Sequence, residues 1–217
     1  MINIAIDGPA GAGKSTIAKE VSKRLGYIYV DTGAMYRSMA LSCLRNEIDI
    51  TDEEAVVNNC SNDEIKLEYK DGSQIILLNG EDVSSEIRKE EVGKATSKIA
   101  VYGKVREKLT LLQKEMAEVN NVVMDGRDIG TSVLPNANLK VFLTASVDTR
   151  AKRRYDELVS KGENPDIEVI KKDIEDRDYN DSHREISPLT QAEDAVLVDS
   201  SNMTIEEVVL TILDLLK

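Results

Sequence analysis

Short apolar runs alternate with longer amphipathic stretches along most of this chain. The apolar runs are rich in β-branched residues, and they lie at residues 2–6, 27–30, 122–125, 139–143 and 195–198. Runs of this kind are typical of buried parallel strands, whereas the amphipathic stretches repeat with the helical period of about 3.6 residues. Strands that alternate with helices predict an α/β fold, in which helices flank both faces of a parallel β-sheet core.

Local signals indicate where the helices begin and end. The predicted helices cover residues 16–25, 34–44, a short segment from 51, 90–119 with a break near 103, 147–161, a segment from 166 and a segment from 204. Thr51 and Thr204 each precede a glutamate by three residues, a spacing that predicts a capping box. Ser146 is a suitable N-cap, and Gly26 is a suitable residue to follow the first helix.

The pattern changes from helical to alternating between about residues 62 and 87. Residues 65–69 alternate between apolar and polar, and residues 75–78 form a second apolar run. Asp71-Gly72 and Asn79-Gly80 supply turns after these two runs. The segment therefore predicts an antiparallel hairpin or meander, inserted into the parallel α/β core.

Composition and charge narrow the classes of function. The length of 217 residues suits a single α/β domain, and 41% hydrophobic with 31% charged residues is typical of a globular protein in water. The net charge of −12 disfavours a nucleic-acid or anionic-membrane surface, because either would require a basic face. No apolar run has the length of a membrane span, and Cys43 and Cys60 lack metal-site spacing. We therefore expect a cytoplasmic protein with reduced thiols and without nucleic-acid or membrane partners. We also expect a monomer.

The most informative stretch lies between the first apolar run and the first helical stretch. It reads Gly8-Pro9-Ala10-Gly11-Ala12-Gly13-Lys14-Ser15-Thr16. A strand, G-x-x-x-x-G-K-S and a helix in this order predict a phosphate-binding loop, whose glycines let backbone N–H groups approach phosphate oxygens. Lys14 then reaches the β- and γ-phosphates of a bound nucleoside triphosphate, Ser15 binds Mg²⁺, and the helix N-terminus adds positive charge. The alternative is a glycine-rich turn without a ligand, and the two flanking elements argue against it.

Two further polar segments follow predicted strands. Asp31-Thr32-Gly33 comes after residues 27–30, and Gly126-Arg127-Asp128 comes at the end of residues 122–125. Ligands of parallel α/β folds bind beyond the carboxyl ends of the strands. We therefore expect both segments to form one site with the glycine loop.

Among proteins with such a loop, the residues favour a phosphotransferase. The guanine-reading N/T-K-x-D of GTPases does not occur, and the chain lacks the basic surface typical of helicases and motor ATPases. It has instead arginines at strand ends and helix starts, which suit the in-line alignment of two anionic substrates. An acceptor phosphate is largely dianionic at neutral pH, so this chemistry requires no general base, and we find no obvious one.

Four motifs together resemble the bacterial cytidylate kinase family, over essentially the whole chain. They are the glycine loop, Asp31-Thr32-Gly33-Ala34-Met35-Tyr36-Arg37, Asp125-Gly126-Arg127-Asp128-Ile129-Gly130-Thr131 and Arg184-Glu185-Ile186-Ser187-Pro188-Leu189. The resemblance implies transfer of the γ-phosphate of ATP to CMP or dCMP, with Mg²⁺. It also implies one P-loop kinase domain over residues 1–217, with a monophosphate-binding region at 36–105, its β insert around 62–87 and a helical lid at 148–166.

The resemblance further assigns roles to individual residues. Those assigned to catalysis are Lys14, Arg127, Arg153 and Arg154, of which the last two belong to the lid and close over ATP. Those assigned to the acceptor phosphate are Arg37 and Arg127, with Arg184 nearby as part of the substrate site, and those assigned to the sugar are Thr32, Arg177 and Asp181. Those assigned to the cytosine edge are Ser97, Arg106 and Asp128. A buried aspartate there accepts from the exocyclic amine and rejects uracil.

Simpler interpretations remain open for several of these residues. Arg127 is compatible with a structural ion pair to Asp125, and Arg177 with a surface pair to Asp181. The arginines of residues 150–154 are compatible with a solvated helix face. Asp125 is either an indirect partner of Mg²⁺ or only the end of its strand.

Two other functions compete at the level of the whole protein. One is a non-catalytic nucleotide sensor, in which lid closure on ATP presents a surface to a protein partner. The other is a kinase for a different small acceptor. An acceptor assay separates the three, because a sensor turns over no acceptor.

Overall fold

The structure is a computed structural model, and it describes residues 1–70 and 73–216. Its strands, in chain order, are β1 (Asn3–Asp7), β2 (Ile28–Asp31), β3 (Ile65–Lys70), β4 (Ser73–Leu78), β5 (Glu81–Asp82), β6 (Val122–Asp125), β7 (Leu139–Thr144) and β8 (Val196–Asp199). Its helices are α1 (Lys14–Leu25), α2 (Thr32–Arg45), α3 (Glu53–Ser61), α4 (Glu90–Ile99), α5 (Gly103–Val119), α6 (Val147–Ser160), α7 (Ile167–His183) and α8 (Ile205–Leu215). A 3₁₀ turn covers Glu86–Arg88, and a π-helical turn covers Ile129–Val133.

The larger sheet has five strands in the order β2-β6-β1-β7-β8. Strand β1 pairs in parallel with both β6 and β7, and β7 pairs in parallel with β8. The register places Ile6 opposite Asp125 of β6 and Val141 of β7, so β6 ends one residue before β1 does. The prediction of a parallel sheet core flanked by helices is confirmed, and so is the predicted helix break near Gly103.

The chain divides into two compact units. One combines Met1–Tyr29 with Val119–Lys217, and the other is Val30–Glu118. In the first unit, α1 and α8 pack on the sheet, and apolar side chains such as Ile6, Val21 and Ile212 are almost completely removed from water. This unit also contains a small separate core between α6 and α7. No helix of the described residues is long and apolar enough to span a membrane.

The second unit carries the predicted antiparallel insert. Strands β3, β4 and β5 form a three-stranded antiparallel sheet in that order, which confirms the hairpin or meander. Asn79 and Gly80 connect β4 to β5 with φ angles of 52° and 85°, as a two-residue hairpin turn with two positive φ angles requires. The predicted turn at Asp71-Gly72 lies outside the described residues. The two thiols of this unit, Cys43 on α2 and Cys60 on α3, are buried with their Sγ atoms 3.7 Å apart.

The two predicted capping boxes have different outcomes. Thr204 forms one with Glu207 at the start of α8, as expected. The box predicted at Thr51 is wrong, because Asp52 is the N-cap of α3 and accepts from the backbone N–H of Ala55. The Thr51 hydroxyl instead donates to Asp49, at 2.7 Å. A charged carboxylate one residue later serves the positive helix end at least as well as a hydroxyl.

Candidate active site

The glycine loop connects β1 to α1 in a conformation that favours glycine at both of its ends. Gly8 has a φ of 144°, and a Cβ there would lie 1.9 Å from the Leu143 carbonyl oxygen of β7. Gly13, the N-cap of α1, has a φ of 91° and makes no side-chain cap bond. Because glycine has no side chain to cap α1, no N-cap side chain occupies the backbone N–H groups of the first turn. Groups of this kind bind phosphate oxygens.

Lys14 is buried beside this loop with its charged end turned toward the backbone. Its Nζ donates to the Pro9 carbonyl oxygen at 2.7 Å, and the residue is 6% exposed. Burial lowers the pKa of Lys14 well below its usual value, and the positive charge of Arg127 acts in the same direction. The carboxylates whose charges oppose this shift are Asp125, Asp181 and Asp7. An anionic ligand on the loop would add to this opposing charge and favour the protonated amine.

Ser15, Asp125 and Tyr29 form a hydrogen-bond chain at the carboxyl end of β6. The Ser15 hydroxyl donates to Asp125 Oδ2 at 2.9 Å, and the Tyr29 hydroxyl donates to Asp125 Oδ1 at 2.8 Å. Both Asp125 and Tyr29 are buried. A hydroxyl and a carboxylate are hard oxygen donors, and Mg²⁺ is usually held by only one or two protein oxygens together with substrate phosphates. The pair Ser15 and Asp125 therefore fits Mg²⁺, although residues 1–70 and 73–216 hold no cluster of three acidic, His or Cys ligands.

Two arginines and two aspartates form a connected network between the segment that follows β6 and the C-terminal end of α7. Arg127 Nε donates to Asp181 Oδ2 at 2.7 Å, and Arg184 Nη1 lies 3.9 Å from the other oxygen of Asp181. Arg184 Nη2 donates to Asp128 Oδ1 at 3.3 Å. The side chains of Arg184 and Asp128 are 5% and 8% exposed. Arginines that pair with carboxylates, one of them buried and one partly buried, are suited to bind phosphate groups as well.

The electrostatics of this network centre on Asp181. Burial alone would raise the pKa of Asp181, but the charges of Arg127, Arg177 and Arg184 hold it below its usual value. The ion pair that the structure gives Arg127 is with Asp181 of α7, rather than with Asp125 as the structural alternative supposed. Arg177 lies on α7 one turn before Asp181, and it contributes to the same field.

Asp7, the last residue of β1, was not predicted as a site residue. Its two carboxylate oxygens accept from the backbone N–H groups of Ile129 and Gly130 at 2.8 and 2.7 Å. Burial raises the pKa of Asp7 to about 6, although these two hydrogen bonds act in the opposite direction. Asp7 thereby attaches the turn that begins after Asp128 to the strand that leads into the glycine loop. Its position directly before Gly8 was the available signal in the sequence.

The basic residues of α6 have different environments from one another. Arg153 donates to the Ser200 carbonyl oxygen at 2.7 Å and lies close to Gly13, where an added Cβ would be 3.9 Å from Arg153 Nη1. Arg154 is exposed and pairs with Glu157 at 2.9 Å on its own helix. Arg150 is 4% exposed and reaches the glycine loop, so the solvated-face interpretation is wrong for this residue.

Four predicted site residues belong to the second unit. Thr32 begins α2 and is buried, and Arg37 lies further along the same helix. Arg106 of α5 is 4% exposed, donates to the Ala100 carbonyl oxygen and lies with its guanidinium 5.5 Å from the ring centre of Tyr36. Ser97 lies on α4 and donates to the carbonyl oxygen one turn earlier, at 3.4 Å.

Comparisons with known proteins agree on one family. A family model described as cytidylate kinase matches residues 4–217. A protein of Leuconostoc mesenteroides named cytidylate kinase is 52% identical, covering 99% of this chain and 96% of its own length. Proteins of the same name from Caldicellulosiruptor saccharolyticus and Enterococcus faecalis are 50% and 49% identical, covering 99% and 100% of this chain and 95% and 96% of theirs.

Solved structures of two kinases share the fold of this chain at low sequence identity. A shikimate kinase from Bacteroides thetaiotaomicron has a TM-score of 0.50 at 16% identity, covering 99% of this chain and 98% of its own. A gluconokinase from Sinorhizobium meliloti also has a TM-score of 0.50, at 14% identity, covering 99% and 91%. At these identities the likeness concerns the fold alone.

Proposed function

This chain belongs to the cytidylate kinase family, and we propose that it transfers the γ-phosphate of ATP to CMP or dCMP, producing CDP or dCDP and ADP. One observation of geometry carries the proposal. The glycine loop and the network of Arg127, Asp128, Asp181 and Arg184 lie beyond the carboxyl ends of the adjacent parallel strands β1 and β6. A loop that binds a triphosphate next to paired arginines is the arrangement that phosphoryl transfer between two anions requires.

The donor half is assigned to the loop, residues 8–16. Backbone N–H groups of the loop and of the first turn of α1 bind the phosphates, and Lys14 exchanges its Pro9 contact for the β- and γ-phosphates. Mg²⁺, when bound, offsets the charge of the β- and γ-phosphate oxygens, and Ser15 with Asp125 would hold it. Arg153 and Arg154 are assigned to the lid, residues 148–166, and stabilise charge on the transferred group.

The acceptor half is assigned to arginines and to one buried aspartate. Arg37, Arg127 and Arg184 hold the acceptor phosphate, which is already ionised and needs no general base. Asp128, with Ser97 and Arg106, reads the cytosine edge. The sugar is assigned to Thr32, Arg177 and Asp181, and the monophosphate-binding region to residues 36–105 with its β insert at 62–87. These assignments rest on the family motifs, and the burial and ion pairing of Asp128 and Arg184 support them.

An acceptor panel tests the proposed function. We expect ADP formation from ATP and Mg²⁺ in the presence of CMP or dCMP, and little with AMP, GMP, shikimate or gluconate, measured by a coupled assay. The last two acceptors test the chemistry of kinases that share only the fold. Similar turnover of all acceptors would contradict the cytosine specificity. A lack of turnover with every acceptor, at saturating ATP, would favour the nucleotide sensor instead.

Tyr29→Phe is expected to weaken metal use without unfolding the protein. The substitution removes only the hydroxyl that orients Asp125, and Asp125 in turn holds Ser15. Partners of this kind commonly change metal affinity by about tenfold or more. We expect the Mg²⁺ concentration for half-maximal activity to rise by about that factor, and the affinity for Mn²⁺ in the presence of ADP, measured by electron paramagnetic resonance, to fall in parallel.

The matched control for this prediction is Tyr27→Phe, because Tyr27 is a nearby, partly buried tyrosine that packs against the core of the first unit. It should leave both metal measurements unchanged. Unaltered Mn²⁺ affinity in Tyr29→Phe would show that the hydroxyl contact is structural only.

A further inference from the structure

An ion pair between α6 and α7 holds both backbone polar groups of one residue in the glycine loop. Arg150 Nη1 of α6 lies 2.6 Å from Asp178 Oδ2 of α7. The same nitrogen donates to the Ala10 carbonyl oxygen at 2.9 Å, and the Ala10 N–H donates to Asp178 Oδ1 at 3.3 Å. The donor and the acceptor of a single loop residue are thus both bound by the pair, which we call the loop clamp.

The surroundings of Arg150 leave its guanidinium little freedom to do anything else. Its Nε donates to the Ala145 carbonyl oxygen at 2.9 Å, and its side chain is 5% exposed. A Cβ on Gly11 would lie 3.3 Å from the Cβ of Arg150, so the loop backbone passes directly over this side chain. Burying an arginine is costly unless its charge is paired, and here Asp178 pairs with the charge while two carbonyl oxygens accept from Nε and Nη1.

The loop clamp acts on the segment whose shape determines phosphate binding. Ala10 lies among Gly8, Gly11 and Gly13, whose φ angles are all positive. A flexible glycine-rich loop would have to lose conformational entropy when a phosphate binds. Contacts that hold the loop in its bound shape beforehand remove that cost from the binding step.

We propose that the Arg150–Asp178 ion pair is a positioning element that keeps the glycine loop in its anion-binding conformation and links that loop to the helix pair α6–α7. The proposal rests on the proposed function in that the anion is the triphosphate of ATP. It concerns neither the acceptor nor the transfer step. Arg150 and Asp178 act through Ala10, and neither contacts the nucleotide.

The chain offers a matched control on the same two helices. Lys171 of α7 lies 2.9 Å from Asp148 of α6, in an ion pair that also connects the helices. Asp148 is 81% exposed, and Lys171 also pairs with Glu168 on its own helix, so this cluster lies outside the glycine loop. Variants of this pair loosen the α6–α7 connection at the surface while leaving Ala10 as it is.

The test measures binding of a phosphate-only probe, inorganic tripolyphosphate, and of ADP by calorimetry. The variants are Arg150→Lys, which keeps the charge but loses the fork, and Asp178→Asn, which keeps the shape but loses the charge. We expect each to raise both dissociation constants about tenfold or more, because a charge-assisted hydrogen bond is lost in each. The double variant should bind about as weakly as the weaker single variant, since the two residues act as one unit.

The kinetic readout separates positioning from a general loss of structure. At saturating ATP, KM for CMP should stay within about twofold of the wild-type value, whereas KM for ATP should follow the tenfold change in binding. Lys171→Met, which breaks the surface pair from the α7 side, should leave tripolyphosphate binding unchanged. Thermal unfolding of each variant identifies any that does not fold, and the result for Asp178→Asn decides the test, because a loss in Arg150→Lys alone has two explanations.

Three results would overturn the proposal. Unchanged tripolyphosphate binding in Asp178→Asn would show that the clamp does not position the loop. A loss in Arg150→Lys without a loss in Asp178→Asn would mean that Arg150 contacts the ligand itself. An equal loss in the surface control Lys171→Met would assign the effect to the helix pair as a whole. If the wild-type protein phosphorylates no CMP, the proposed function fails, yet binding of tripolyphosphate still decides the role of the clamp.

Discussion

Replacing Lys14 by methionine is expected to abolish most phosphoryl transfer, with kcat for CMP lowered by at least about 10³-fold. Methionine keeps most of the aliphatic length and removes the charge that is assigned to the β- and γ-phosphates. No general base is required, so the rate depends mainly on how the substrates are positioned and on the charges around them. Raising the pH only deprotonates groups, and it therefore cannot compensate for the loss of this cation. Single-turnover measurement of ADP formation at saturating ATP and CMP gives the relevant rate.

The same substitution should leave the protein folded and equally or more stable without nucleotide. Burial lowers the pKa of Lys14, so the protonated amine is less favourable in the folded chain than in the unfolded chain. Below the pKa of Lys14 in the folded protein, the full cost of burying the protonated amine lowers the free energy of unfolding. That free energy rises as the pH increases from this folded-state pKa toward the ordinary value of 10.5. At neutral pH methionine removes this cost, which urea unfolding measures.

The control is Lys23→Met, an exposed lysine on α1. It should change neither the rate nor the stability appreciably. A Lys14→Met variant that kept more than about a tenth of the wild-type rate would contradict the role assigned to Lys14. A variant that lost stability would contradict the assigned cost of its burial.

Replacing Asp128 by asparagine is expected to lower the preference for CMP over UMP by about 10²-fold or more, measured as the ratio of kcat/KM values. The Asp128 carboxylate accepts from the cytosine amine in the proposed complex. Asparagine presents an N–H group there, which repels the amine of cytosine but can donate to the carbonyl oxygen of uracil. Asparagine also keeps an oxygen that can accept from Arg184 at 3.3 Å, so the network around Arg184 should remain assembled.

The ratio of kcat/KM values is the preferred readout because partial unfolding lowers both values equally and cancels. Glu185→Gln, an exposed neighbour of Arg184, is the control for the loss of one negative charge near the network. It should leave the ratio unchanged. A wild-type ratio in Asp128→Asn would refute the assignment of Asp128 to the cytosine edge.

The fold was largely predictable because its signals are local. Each apolar run that predicts a strand is long enough to identify by itself, and caps such as Ser146 and Thr204 mark helix starts through a single turn of chain. The error at Thr51 has the same local origin, since Asp52 and Thr51 are both acceptable caps and only the observed hydrogen bonds distinguish them.

The candidate site was predictable in part. Lys14, Ser15 and Asp128 belong to motifs with recognisable spacing, whereas Tyr29 and Asp7 appeared only as ordinary members of apolar strands. Their contacts, to Asp125 and to the backbone of Ile129 and Gly130, join segments more than ninety residues apart. A periodic pattern reports which side of a strand is buried, but it does not report which polar group meets a side chain there.

Motif spacing and hydrophobic period are properties of short stretches, and they were sufficient to predict a parallel α/β kinase with a triphosphate-binding loop. The roles of the charged residues around that loop depend instead on packing between distant segments. Arg150 and Arg154 are four residues apart on one helix, and their sequence surroundings are equally basic. One is buried against Ala10 and Asp178, and the other is exposed beside Glu157. This difference arises only when α6, α7 and the loop are brought together, because the partners of Arg150 lie far from it in the chain.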